Sequence, residues 1–216
     1  HYEVNYVGHP LLDSIDSASP SHPFRNTHQL DERPIIALLP GSRSQEVKKM
    51  LPLFLKVIPH FPEHQFIVAG TTSLGVSFYT NLLMATPCKV VIGNTYELLQ
   101  SSEAALVTSG TATLEAALFG VPQVVCYKTS ALSYWLAKQW VKLEWISLVN
   151  LILDQQVIQE LIQEDCTPIS LQKSLNQLLD PKRVAQIQKH YKQLRDQLDQ
   201  GGASRKTADL IYSSLT

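Results

Sequence analysis

Short, unbroken apolar runs separated by helix-like stretches constrain this chain more than any other feature. They are IIALLP at 35–40, QFIVAG at 65–70, CKVVIG at 88–93, AALVT at 104–108 and PQVVCY at 122–127. Each is too short for a helix and lacks the alternation of a half-exposed strand, so each reads as a strand covered on both faces, as in a parallel sheet. Between them EVKKMLPLFLKVI, interrupted by Pro52, SFYTNLLMA, TYELLQSS and TATLEAALFG read as helices. The alternation predicts an α/β fold with a Rossmann-like, doubly wound parallel sheet over residues 35–153. EWISLVN at 144–150 is expected to supply a sixth strand. From Gln155 onward the chain reads as helical to its end, with breaks at Pro168 and Gly201-Gly202. Residues 154–216 are therefore expected to form helices that pack on the sheet domain or on a neighbouring one.

The stretch VNYVGHPLLD reads as a strand entering the turn Gly8-His9-Pro10, with His9 in a structural role. It predicts that residues 1–13 are the remnant of a preceding domain. Residues 14–34, rich in Ser, Pro, His and charge and without helical or strand period, read as a linker. Lys+Arg 18 against Asp+Glu 19 gives a formal net charge of −1, which offers no general attraction for nucleic acid. An anionic ligand would have to be held locally. No apolar run approaches the roughly 20 residues of a membrane span, and the start lacks a signal-peptide pattern, so a cytoplasmic protein is expected. Cys88, Cys126 and Cys166 are odd in number and lack CxxC spacing, which suits buried thiols in a reducing compartment. His60 and His64 have helical spacing, but Pro59 and Pro62 break the helix that would pair them, and no metal site is expected.

In a doubly wound sheet, ligands bind outside the carboxyl ends of the strands. After the first apolar run comes Pro40-Gly41-Ser42-Arg43-Ser44-Gln45-Glu46. There Gly41 and Ser42 permit close backbone approach, and Arg43 offers a planar fork of donors for phosphate oxygens. After the fourth comes a knot of hydroxyls, Thr108, Ser109, Thr111 and Thr113, around Gly110 and Ala112. It lies where a strand becomes a helix and first-turn N–H groups favour an anion. Glu115, one turn further on, is placed to accept hydrogen bonds from a ribose, or to close a capping box with Thr111. Neither GxGxxG nor GxxxxGK[ST] occurs, so the pattern favours a nucleoside diphosphate held by arginine and a helix start over a dinucleotide or a P-loop.

The segments YVGHPLLD, IIALLPGSRSQEV, SEAALVTSGTATLEAALFGVPQVVCYKTS, YWLAKQWVK and WISLVNLI resemble, in order and spacing, the carboxyl-terminal half of the lipid A disaccharide synthases. The resemblance implies one half of a GT-B glycosyltransferase, the half that binds the UDP donor. The implied reaction is inverting transfer of 2,3-diacylglucosamine from its UDP conjugate to 2,3-diacylglucosamine 1-phosphate, without cofactor or metal. It implies leaving-group stabilisation by Arg43, a catalytic base in the other half, and a fragment inactive alone. It further implies donor contacts at Asn150 and uracil contacts at the backbone of Ile92, Gly93 and Asn94. The expected partners are these two acylated sugars. Peripheral contact with the cytoplasmic face of the inner membrane, through the Trp- and Lys-rich residues 130–145, and a homodimer are open alternatives, as is a helix that simply packs on the sheet. Rival functions are a UDP-sugar epimerase of the same fold and a non-catalytic nucleotide-binding or assembly module.

Overall fold

The computed structural model describes residues 4–17, 24–84, 86–129, 144–199 and 201–215. At its centre is a six-stranded sheet: β1 Ile35–Leu39, β2 Gln65–Gly70, β3 Lys89–Ile92, β4 Ser102–Thr108, β5 Gln123–Tyr127 and β6 Gln159–Ile162. The order is β3-β2-β1-β4-β5-β6 and every neighbouring pair is parallel. All five apolar runs are strands, and those of β1, β2, β4 and β5 are covered as expected, whereas β3 at one sheet edge leaves Lys89 exposed and Val90 and Ile92 half-buried. In β1, Ile36 and Leu38 enter one hydrophobic cluster while Ile35, Ala37 and Leu39 enter another on the opposite face. β2 and β4 divide in the same way: Phe66, Val68, Ala104 and Leu106 on one side, Ile67, Ala69, Ala105 and Val107 on the other.

The connections are helical. α3 Ser44–Leu55 buries Val47, Met50, Leu51, Phe54 and Leu55, a stripe at helical spacing, and it continues through Pro52 for less than one further turn. α4 Gly75–Leu83, α5 Thr95–Gln100 and α6 Thr111–Leu118 follow β2, β3 and β4. Cys126 and Cys166 are buried and Cys88 is half-buried.

Three expectations need correction. Residues 144–150 are not a strand: Oγ of Ser147 accepts from the N–H of Asn150 and caps a short helix, α7 Leu148–Leu153. The sixth strand lies instead in the stretch read as helical, where β6 pairs with β5 alone, from Val124 opposite Gln159 to Tyr127 opposite Ile162. A sheet-edge strand has only one neighbour to satisfy, so it tolerates the polar Gln159 and Glu160, and its sequence loses the unbroken apolar signal.

The stretch read as linker also contains helical turns, at its start and near its middle. α1 Pro10–Asp16 and α2 Phe24–Thr27 bury Leu12, Ile15 and Phe24. His9 is structural: its Nδ1 accepts from the N–H of Leu11 at 3.2 Å and starts α1. The chain then finishes in α8 Pro168–Leu178, α9 Pro181–Leu198 and α10 Ala203–Leu215. α1 is tied to this end, because Asp13 accepts from the N–H of Ser204 at 2.8 Å and Asp16 pairs with Arg195. Among the described residues, no helix is long and apolar enough to cross a membrane.

Candidate functional site

The strand order places the site. β1 and β4 are neighbours, yet the chain leaves β1 toward β2 and leaves β4 toward β5, in opposite directions across the sheet. Loops that diverge in this way open a crevice at the carboxyl ends of the strands. Here it is a cavity of about 400 Å³ lined by Leu39, Gly41, Ser42, Arg43, Glu46, Ala69, Thr71, Thr95, Thr108, Ser109, Gly110, Thr111, Ala112 and Glu115. The two loops singled out in the sequence, far apart in the chain, thus line one cleft.

On the β1 side the cleft is arranged around a carboxylate. Oε2 of Glu46 accepts from the backbone N–H groups of Ser42 and Arg43, both at 3.3 Å, while its Oε1 accepts from Nη1 of Arg43 at 2.8 Å. A carboxylate on the first turn of α3 is favoured by the helix dipole as well. Gly41 makes this possible: its φ is +107°, and a Cβ there would lie 2.6 Å from Oε2 of Glu46. Arg43 is otherwise in solvent, its side chain 82% exposed. Donors suited to an anion are gathered here, and an internal anion already engages them.

On the β4 side the four hydroxyls take four different paths. Thr113 is fully buried and its Oγ1 donates to the carbonyl of Gly110 at 2.8 Å, closing the loop from within. Oγ of Ser109 donates to the carbonyl of Ile146 at 3.2 Å, and its N–H donates to the carbonyl of Cys126. Thr111 is exposed at the first position of α6. Thr108 is only 5% exposed, and its Oγ1 has no partner although the residue lines the cleft. The N–H groups of Gly110, Thr111 and Ala112 make no hydrogen bond among the described residues, as expected of a helix start. Around the Cβ position of Gly110 there is open space.

Of the predicted site residues, Gly41, Ser42, Arg43, Ser109, Gly110, Thr111, Ala112 and Glu115 are therefore brought together, and Thr113 supports them from behind. Glu115 is half-buried at the cleft wall, and burial raises its pKa above the ordinary carboxylate value. Ile92, Gly93 and Asn94 do not line the cleft, although the next residue, Thr95, does. Thr71 and Thr95 line it without having been singled out, and their common signal is position, just past an apolar run; Glu46, the last residue of the singled-out β1 loop, lines it from the first turn of α3.

Asn150 is elsewhere. It is fully buried, and its carboxamide is engaged on every side. Oδ1 accepts from the N–H groups of Val157 (2.9 Å) and Ile158 (3.0 Å), while Nδ2 donates to the carbonyl of Ile158 and to Oε1 of Glu160, both at 2.9 Å. Glu160 in turn accepts from the N–H groups of Ile146 (2.8 Å) and Ser147 (3.0 Å). Its contact to the cleft is indirect, since this clasp holds the Ile146 carbonyl that receives Ser109. With its donors and acceptors engaged within the chain, the amide of Asn150 positions the Ile146 carbonyl rather than lining the cleft. Of the Trp- and Lys-rich residues 130–145, those at 130–143 lie outside the described residues.

Residues 1–212 match the lipid-A-disaccharide synthetase family. The chain is 35% identical over 218 residues to a lipid-A-disaccharide synthase of Coxiella burnetii (strain CbuG_Q212), covering 98% of this chain and 58% of that protein. It is likewise 35% identical over 222 residues to one from Syntrophus aciditrophicus (strain SB), covering 99% and 58%. The chain thus spans less than two thirds of the length of the curated relatives it matches. Among solved structures, E. coli ADP-heptose lps heptosyltransferase II aligns with a TM-score of 0.52 at 17% identity, over 72% of this chain and 49% of that one. The calicheamicin glycosyltransferase CalG4 aligns with a TM-score of 0.54 at 17% identity, over 92% and 45%. These two establish the fold, a Rossmann-like half of the GT-B type. The chain belongs to the lipid-A-disaccharide synthetase family.

Two measurements check the roles of Asn150 and Glu115. Asn150→Ala leaves the buried N–H and carbonyl of Ile158 without a partner, while Val157 keeps the Gln155 carbonyl and Glu160 keeps the Ser147 N–H, so urea denaturation should report a loss of about 2 kcal/mol. An unchanged midpoint would break the clasp. For Glu115, burial raises the folded-state pKa above the unfolded one, so stability falls as pH rises through the unfolded and then the folded value. Glu115→Gln should therefore raise the thermal midpoint at neutral pH, and the gain should vanish on acidification below the ordinary carboxylate range. A gain independent of pH would mean that desolvation of the charge is not its source.

Proposed function

We propose that this chain is the donor-binding half of a hexosyltransferase of that family, and that its switch-point cleft takes the diphosphate of a UDP-linked sugar. The observation that carries the reading is the convergence in one cleft of the Gly41-Ser42-Arg43 loop with the N–H groups of Gly110, Thr111 and Ala112, which have no partner among the described residues. A diphosphate would take over the Ser42, Arg43 and guanidinium donors that Glu46 now engages, and its second phosphate would meet the start of α6. Thr108 Oγ1 would gain the partner it lacks. Glu115, acceptor-only when ionised, suits ribose hydroxyls and repels phosphate. Its burial is tolerable where hydroxyl donors replace the lost water.

The reaction we assign to the whole enzyme is inverting transfer of 2,3-diacylglucosamine from UDP to 2,3-diacylglucosamine 1-phosphate, releasing UDP and forming a β-1,6 disaccharide 1-phosphate. As the anomeric C–O bond to the diphosphate breaks, negative charge gathers on the leaving group. Donors fixed around it stabilise that charge without reorganising. Inversion also needs a base on the opposite face of the sugar to take the acceptor hydroxyl's proton. We assign that base to the part of the enzyme that faces this cleft across the GT-B interface. Acylated substrates require access to a membrane surface, for which residues 130–145 are our candidate contact.

Titration calorimetry tests the assignment. UDP should bind more tightly than UMP, because only the second phosphate engages both loops, and Arg43→Ala should weaken UDP by about 1.5–3 kcal/mol. Equal affinities for UDP and UMP, or an unchanged isotherm for the variant, would remove the diphosphate from this cleft. This chain by itself should form no disaccharide from the two lipid substrates in detergent; steady turnover would place the base within it.

A further inference from the structure

Toward the amino ends of β5 and β6, at the opposite pole of the sheet from the switch-point cleft, lies a cavity of about 380 Å³ bounded by those strands, α8 and α9. It shares no residue with the cleft. Val124, Leu178 and Ile187 make part of its lining apolar, and the rest is polar. The group that marks it is Ser174 on α8, which is only 3% exposed and lines the cavity. A serine inside a helix can donate to the carbonyl four residues back, yet the Ser174 hydroxyl makes no hydrogen bond among the described residues. A buried hydroxyl without a partner is costly, and a ligand that supplies one removes the cost.

Arg183, half-buried on the first turn of α9, supplies the charge. Its Nη2 donates to the carbonyl of Val157 at 2.7 Å, which uses one of its five N–H groups. No carboxylate lies within ion-pair distance of it among the described residues. Asp180, which also lines the cavity, is occupied as the cap of α9, its Oδ1 accepting from the N–H of Lys182 at 2.9 Å. The bond to Val157 holds the guanidinium at the cavity wall in advance, so little freedom is lost when an anion arrives. The N–H of Arg183 is itself without a partner among the described residues, and the start of a helix of 18 residues favours negative charge beside it. Gln159, Gln177 and Gln186 add carboxamides that make no side-chain hydrogen bond among the described residues, each able to donate and to accept.

We infer that this cavity is a binding site for a small polyhydroxylated carboxylate of the sugar-acid kind. Charge selects the anion: Lys182 and Arg183 against Asp180 leave one positive charge in the lining, which matches a carboxylate and falls short of a phosphate monoester, close to a dianion at neutral pH. The planar fork of the guanidinium fits the two oxygens of a carboxylate. Sugar hydroxyls both donate and accept, as do the three carboxamides and the Ser174 hydroxyl that await them. Val124, Leu178 and Ile187 offer apolar surface to the C–H face of the skeleton, and the volume lies within the range of ~300–1,000 Å³ typical of small-molecule sites. The inference does not rest on the assignment of UDP to the switch-point cleft.

The test is calorimetric titration of the chain with gluconate and glucuronate, with glucose as the uncharged control and glucose 6-phosphate as the dianion. Both acids should bind with or without UDP present, and glucose should bind roughly tenfold more weakly or not at all. Ser174→Ala removes a hydroxyl that bonds nothing in the free protein, so the thermal midpoint without ligand should hold or rise while affinity for the acids falls roughly threefold to tenfold. A lower midpoint with unchanged affinity would make Ser174 a structural residue and overturn the site. Arg183→Lys keeps the charge and a donor for the Val157 carbonyl but loses the fork, and it should weaken both acids roughly tenfold or more. Displacement of the acids by UDP, equal binding of glucose, tighter Arg183-dependent binding of glucose 6-phosphate, or no binding of either acid likewise overturns the site. Failure of UDP itself to bind would count against the switch-point cleft alone.

Discussion

Every strand of the sheet is parallel to its neighbours, so each must hand the chain to a connection at its carboxyl end, and that requirement decides where polar chemistry can sit. The faces are closed by hydrophobic clusters, leaving the strand interiors apolar. What remains polar is the carboxyl edge, where strands end, helices begin, and N–H groups at helix starts have no partner in their own helix. Reversal of winding direction between β1 and β4 then separates two of those ends just enough to admit a ligand. The cleft is thus a consequence of the strand order before any side chain is considered.

Both loops of the cleft were legible in the sequence because their residue types carry local chemistry: Gly41 beside Arg43, and hydroxyls around Gly110. Their adjacency was not legible. Nothing local in IIALLP or AALVT says that these two runs, rather than β1 and β5, are neighbours. The failures have the same root. Glu160 and Gln159 hide β6 because an edge strand need not be apolar on both faces, and LVNLI has strand-like composition although a serine hydroxyl turns it into a helix. Asn150 is expected on the ligand side because a carboxamide suits a sugar or phosphate oxygen. It equally suits a turn, and its hydrogen bonds to Val157, Ile158 and Glu160 depend on a fold-back that the one-dimensional pattern does not contain.

The hydroxyl knot illustrates how composition and direction part company. Thr108, Ser109, Thr111 and Thr113 look equivalent in sequence, yet helix geometry turns Thr113 inward to the Gly110 carbonyl and leaves Thr111 in solvent. Strand register aims Thr108 at the cleft, and Ser109 is drawn to Ile146 by a clasp whose key residues, Asn150 and Glu160, lie far downstream. Two of the four stiffen the loop and one waits unpaired. A loop that must present N–H groups to an anion gains from such internal bracing, because donors already fixed in place lose less freedom when the ligand arrives.

The two carboxylates of the cleft complete the physical picture. Glu46 stands where an anion would, and it lends the β1 loop the charge that its N–H groups and Arg43 attract. In the proposed reading a diphosphate would displace a weaker internal competitor rather than fill an unsatisfied hole, which would moderate affinity while keeping the loop ordered. Glu115 has the opposite character. It is half-buried with its charge disfavoured, and it makes no hydrogen bond through its side chain among the described residues, so at neutral pH it is relieved by a ligand that brings donors. One carboxylate stabilises the cleft without a ligand and the other destabilises it. A ligand with phosphates at one end and hydroxyls at the other answers both at once, which is the combination that separates a nucleoside diphosphate from inorganic diphosphate or a free sugar.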